Sequence, residues 1–160
     1  VYLLTKEIDP TRPCIDTSGV SHVETDLYDV HDYDQNPETF AARYDALRTS
    51  GTFEDPHYAD RQRYDGKKPV FLSEYGGTGL SLKGGSWSYG SAAKDCEDFC
   101  KRYEGLTNAL MKNPEICGMC YTQLYDVEQE QNGLYTYERQ PKIDIARIRE
   151  INTKKAAIEE

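Results

Sequence analysis

The sequence predicts an α/β fold with parallel strands, about half of a (β/α)8 barrel in extent. Three observations predict it. Strand-like apolar runs alternate with segments of helical spacing, the order expected of βαβ units on a parallel sheet. The chain has 160 residues, enough for one domain but short of the ~250 of a complete barrel. The strand-like runs end in carboxylates, aromatics and glycines, where barrel chemistry collects on the face built by the βα loops.

Val1 to Ile8 has helical apolar spacing, and Asp9-Pro10-Thr11-Arg12-Pro13 stops it, since proline lacks a donor and restricts its predecessor. Cys14 to Asp16 reads as a short first strand and Thr25 to Tyr33 as a second. Asn36-Pro37-Glu38 starts a helix with proline just inside it, ending near Gly51. Residues 51–68 form a long polar loop. Pro69 to Ser73 is the third strand, and a Gly/Ser-rich stretch from Gly76 to Gly90 follows. Ser91 is placed to cap a helix that reaches Lys112 and is stopped by Asn113-Pro114. Ile116 to Leu124 is the fourth strand, Asn132-Gly133 marks a turn, and Asp144 to Ala157 is a last amphipathic helix. No internal repeat or low-complexity tract occurs, so residues 1–160 read as a single domain.

Composition narrows the partners. The formal net charge is −9, which argues against nucleic acid, because phosphate binding needs clustered Lys and Arg. No apolar stretch approaches the ~20 residues of a membrane span, and no signal peptide is visible. A start at Val1, inside a helix, reads as a piece of a longer protein. The 5 cysteines are odd in number and unpatterned, which fits a reducing compartment and a cytoplasmic location. Cys117 and Cys120 sit three apart in a strand, on opposite faces, which is poor geometry for a shared zinc. Neither a metal nor a cofactor is expected.

The chemistry is expected at strand ends. Glu74, in Pro69-Val70-Phe71-Leu72-Ser73-Glu74-Tyr75-Gly76-Gly77, is a carboxylate that closes an apolar run, a candidate nucleophile or acid/base. In a parallel sheet the other strand ends share its face. These carry Asp16 and Ser18, then His31, Asp32 and Tyr33, then Tyr121, Gln123 and Asp126. Trp87, the only tryptophan, joins the substrate-binding candidates from the Gly/Ser-rich stretch.

These motifs resemble the catalytic barrel of glycoside hydrolase family two, which includes β-galactosidases, β-glucuronidases and β-mannosidases. Asp9-Pro10-Thr11-Arg12-Pro13 resembles its helix-to-strand link, Asp29-Val30-His31-Asp32-Tyr33 its sixth strand, and Val70 to Gly77 its seventh. Gly118 to Leu124 with Asp126-Val127-Glu128-Gln129-Glu130-Gln131-Asn132-Gly133-Leu134 resembles its eighth strand and following loop. The resemblance runs from Val1 to Asp144 and implies the C-terminal half of the barrel, strands five to eight. It implies Glu74 as nucleophile of a retaining double displacement, Tyr33 as the residue orienting it, and His31 as a lining of the sugar subsite. Tyr121 would fall at an aromatic sugar platform, with Gln123, Asp126 and Trp87 also on substrate.

The family's acid/base glutamate follows an asparagine at its fourth strand, and no glutamate here matches it. These residues alone are therefore expected to be inactive, and a half-barrel with open edges is expected to self-associate. No cationic cluster stands out for a uronate, which favours a neutral sugar such as galactose in a β-glycoside. A non-catalytic carbohydrate-binding or interaction module with a barrel-like sequence is the alternative. An unrelated α/β redox protein using Cys96 and Cys100 is a third reading.

Overall fold

The computed structural model describes residues 1–60, 62–81 and 87–160. Helix α1 (Tyr2–Ile8) comes first, then strand β1 (Tyr28–Asp32), helix α2 (Pro37–Ser50), strand β2 (Val70–Gly76), helix α3 (Cys96–Met111), strand β3 (Ile116–Thr122) and helix α4 (Ile145–Asn152), with a 3-10 turn at Ala157–Glu159. The strands form one parallel sheet in the order β1-β2-β3. Each parallel neighbour is reached through a helix, the connection such pairs require.

Local chemistry explains the boundaries. Asn36 caps α2 by accepting from the Glu38 amide, Pro37 opens the first turn, and Gly51 closes the helix in the left-handed region (φ 69°). Helix α3 begins at Cys96, later than Ser91, because the Asp95 carboxylate accepts from the Asp98 amide and becomes the cap. Helix α4 is shorter than its apolar pattern and ends at Asn152.

Cys14 to Asp16 does not form a strand, so the described residues hold three strands where four were expected. The Asp16 carboxylate explains this. It accepts from the Val23 and Glu24 amides at 2.7 and 3.1 Å and folds the segment into a loop. Cys14 keeps a backbone link toward β1, where its carbonyl accepts from the Asp26 amide at 3.0 Å.

One face of the sheet is covered. Tyr28, Val30, Val70, Leu72, Tyr75 and Ile116 pack against Phe40, Tyr44 and Leu47 of α2 and Leu106 and Leu110 of α3. A second cluster joins Phe99, Cys100 and Tyr103 of α3 to Leu134, Ile143, Ile148 and Ile151. The opposite face carries Asp29, His31, Phe71, Ser73 and Glu74. Helix α1 buries none of its residues.

Candidate active site

Strict alternation along β2 would place Phe71, Ser73 and Tyr75 on one face and Leu72 and Glu74 on the other. The register departs from this. Between Phe71 and Glu74 the chain advances three residues while β1 advances two, from Asp29 to His31. Between Leu72 and Tyr75 it again advances three while β3 advances two, from Met119 to Tyr121. The extra residue is a β-bulge shared by both neighbours. It turns Ser73 and Glu74 to the open face and returns Tyr75 to the core, where it is 2% exposed. Without the bulge the Glu74 side chain would enter the helix layer.

The bulge is tied down from below. Ser73 donates its hydroxyl to Asp29 Oδ2 at 2.6 Å, and the Gly19 amide donates to the same oxygen at 2.8 Å. His22 lies between two carboxylates, with Nδ1 2.7 Å from Asp16 Oδ1 and Nε2 3.0 Å from Asp29 Oδ1. Burial lowers the basicity of His22, but Asp29 and Asp16 outweigh it and raise its pKa to about 9. Burial pushes the Asp16 carboxyl up, but His22 and the amides of Val23 and Glu24 outweigh that and bring it to about 2. For Asp29, burial again opposes ionisation, and His22, Ser73 and Gly19 reverse it, leaving the pKa below the usual carboxylate range. The buried network is a cation held between two anions.

Around Glu74 the contacts converge on one oxygen. The Tyr33 hydroxyl donates to Oε2, and His31 Nδ1 lies 3.4 Å from the same atom. The other imidazole nitrogen of His31 meets Ser18 Oγ at 3.0 Å. Gly19 backs the ring so closely that an added Cβ would stand 2.2 Å from it, and its φ of +61° also favours glycine. Burial, followed by the Glu74 carboxylate, pushes the Tyr33 hydroxyl far above the usual phenol range, so it stays a donor. Among the described residues Oε1 takes no hydrogen bond, and the Glu74 side chain keeps 34% of its surface open.

An aromatic wall extends from this centre. Tyr89 stacks on Tyr33 with centroids 4.1 Å apart and planes 5° from parallel, and Trp87 meets Tyr89 edge-on at 4.7 Å. Sequence reasoning missed Tyr89. Its signal was the Trp87-Ser88-Tyr89 spacing, which puts two aromatics in a Gly/Ser-rich loop.

The predicted site residues therefore divide. Glu74, Tyr33 and His31 come together, and Trp87 joins them through Tyr89. Tyr121 does not reach the open face. Its ring packs with Tyr75, Phe99 and Tyr103 at centroid distances of 5.6, 6.4 and 4.8 Å. Two partly buried residues that pack against the core, Met119 and Tyr121, flank Cys120, which places them on the helix side and Cys120 outward. Asp126 is also structural. It accepts from Lys142 Nζ at 2.8 Å and from the Gly133 amide at 2.9 Å. The Gln123 carbonyl accepts from Leu134, and its Nε2 is buried with no partner among the described residues. Cys117 and Cys120 are both exposed, because an irregularity beside Phe71 adds a residue to β3 and turns both outward. Among the described residues no group of three or more His, Cys, Asp or Glu side chains is placed to hold a metal.

No protein-family model and no curated protein matches the chain. Solved structures do. A β-glucuronidase of Faecalibacterium prausnitzii superposes with a TM-score of 0.60 at 19% identity, over 98% of this chain and 28% of that one. A GH2 β-galacturonidase of Eisenbergiella tayi, bound to galacturonate, gives 0.62 at 13% identity, over 97% and 30%. A Bifidobacterium dentium β-glucuronidase complexed with coumarin-3-O-glucuronide gives 0.60 at 20% identity, over 93% and 25%. The fold is part of a TIM barrel like theirs. The chain spans less than a third of each of these proteins.

Proposed function

We propose that the chain supplies the nucleophile half of a retaining β-glycosidase site in a larger catalytic barrel. The observation that carries this reading is the asymmetry at Glu74: Tyr33 and His31 both meet Oε2, and Oε1 is left open at the end of a strand. Oε1 attacks the anomeric carbon as the bond from that carbon to the leaving oxygen breaks, giving a glycosyl ester. Water then cleaves the ester and frees Glu74. Tyr33 holds the carboxylate in one rotamer throughout.

The leaving oxygen needs a proton. Asp29, on the same face, is ionised and engaged by His22, Ser73 and Gly19, so it does not supply one. General acid help is worth about 10²–10⁴ in rate, and the chain by itself is inactive in this reading. The acid/base group comes from another part of the barrel. A reducing, cytoplasmic setting accords with five free cysteines.

The sugar held at Glu74 is uncharged, with galactose the favoured case. Among the described residues the ion-pair contact of Glu74 is with His31, and no Lys or Arg pairs with it; Lys142, Arg43 and Arg102 are held elsewhere, by Asp126, by Asp32 and Asp34, and by Asp98. That leaves no described guanidinium or ammonium on Glu74 to receive a uronate. The test is to incubate the full-length protein with 2-deoxy-2-fluoro glycosides of galactose, glucose, mannose and glucuronic acid, then map the labelled peptide. A label on Glu74 from a neutral sugar is expected. A label from the glucuronide alone overturns the sugar assignment. No label, together with no aryl glycoside hydrolysis, returns the chain to a non-catalytic carbohydrate-binding module.

A further inference from the structure

Beyond Glu74 the aromatic wall ends in a second cavity. It has a volume of about 570 Å³ and is lined by Trp87, Val127, Glu128, Gln129 and Glu130. Trp87 is 50% exposed, so one side of its indole is open. The platform is held rigidly by its backbone. The Trp87 amide donates to the Gln129 carbonyl at 2.8 Å, and the Gln131 amide donates to the Trp87 carbonyl at 3.2 Å. Val127 and Glu130 exchange a second pair of backbone bonds, at 3.0 and 2.9 Å. Glu128 is held at φ 52°, a region that costs a side-chain-bearing residue strain. The Glu130 carboxylate accepts from Asn132 Nδ2 at 3.1 Å. Asn132 is fully buried, and its Oδ1 has no partner among the described residues.

We propose that this cavity is a second sugar subsite, one that takes an uncharged pyranose of an oligosaccharide whose scissile residue sits at Glu74. The proposal rests on the glycosidase reading above and specifies its substrate class. The chemistry selects the occupant. The C–H face of a pyranose stacks on an open indole, while carboxylates and an amide beside the ring take its hydroxyls. A purely apolar or planar aromatic group would stack equally well but would give the Glu128 and Gln129 side chains no hydrogen-bond partner in the complex. An anionic ring would face Glu128 and Glu130 with no described cation between. Continuity with the catalytic centre comes from the Trp87–Tyr89–Tyr33 stack, whose last member binds Glu74.

The experiment compares the full-length protein with its Trp87→Ala and Trp87→Phe variants. Substrates are a p-nitrophenyl β-monoglycoside, the matching uncharged β-linked di- and trisaccharides, and a disaccharide with a uronate as second ring. The ratio of kcat/KM on the oligosaccharides to that on the monoglycoside is expected to fall at least about tenfold in Trp87→Ala. Trp87→Phe should restore most of it, and the uronate disaccharide should be a poor substrate of the parent. An equal fall on both substrate types, leaving the ratio unmoved, overturns the subsite, as does no fall at all. If no glycoside is hydrolysed, the catalytic reading fails, and titration calorimetry with the uncharged trisaccharide decides the subsite separately. Binding that Trp87→Ala abolishes supports it, and absence of binding overturns it.

Discussion

At Glu74 the two carboxylate oxygens have different company, and that difference sets what each neighbour should do. Tyr33→Phe removes a hydrogen bond to a charged group, worth about 1.5–3 kcal/mol. In the full-length protein kcat should fall roughly 10- to 100-fold, with circular dichroism and Tm close to the parent's. A kcat equal to the parent's would remove Tyr33 from the machinery. Asp126 should behave oppositely. Its pair with Lys142 is buried, and losing one partner of such a pair costs about 3–5 kcal/mol. Asp126→Ala should therefore lower Tm and leave the KM of whatever folds at the parent's value.

His22 gives the molecule a pH window. Its pKa is raised from 6.5 to about 9, so its stabilising share is whole below pH 6.5 and disappears as pH rises through 9. Asp16 is lowered from 3.8 to about 2, so its share is whole above pH 3.8 and disappears as pH falls through 2. Urea midpoints measured across pH should be highest from about 4 to 6.5, and His22→Ala should flatten the alkaline side of that profile.

At the scale of the element, β2 is the part that matters. Its bulge uses one extra residue to reverse the side of Glu74, and Ser73 ties that bulge to the charged network below. Gly76, at φ +92°, lets the strand pass the Tyr121 ring, where a Cβ would stand 2.2 Å away. Gly76→Ala combines backbone strain with overpacking, on the order of 3 kcal/mol. For a chain of this length that is a Tm loss of roughly 6–12 °C. A loss under 2 °C, at most about 0.5–1 kcal/mol, would show that the close approach relaxes at little cost.

At the scale of the whole molecule, the sheet has two edge strands, its inner face is covered beside Asp29 by Gly19 and His22 but open at Glu74, and α1 leaves Leu3, Leu4 and Ile8 at 75%, 59% and 76% exposure. Unpaired edges and apolar helix faces recruit partners. Expressed by itself, the chain should run larger than a monomer in light scattering at tens of micromolar, and Leu3→Glu with Leu4→Glu should reduce that mass. A stable monodisperse monomer would mean that the open side is tolerated in water.

The order of strands and helices from Tyr28 onward, the caps at Asn36 and Gly51, and the placing of Glu74, Tyr33 and His31 were written in the sequence. Periodicity, proline and glycine are local signals, and residues at the ends of parallel strands must share a face. What tertiary structure alone decided was direction. Tyr121, Asp126 and Trp87 look equivalent as polar or aromatic residues at or after strand ends, yet one packs into the core, one pairs with Lys142 at a sequence separation of 16, and one reaches the cleft through Tyr89. Cys14 to Asp16 had a strand's composition and lost it to a carboxylate that binds amides seven and eight residues away. The bulge at Ser73 and Glu74 left no local mark either. A register shift is a relation between neighbouring strands, and it exists only once the strands lie side by side.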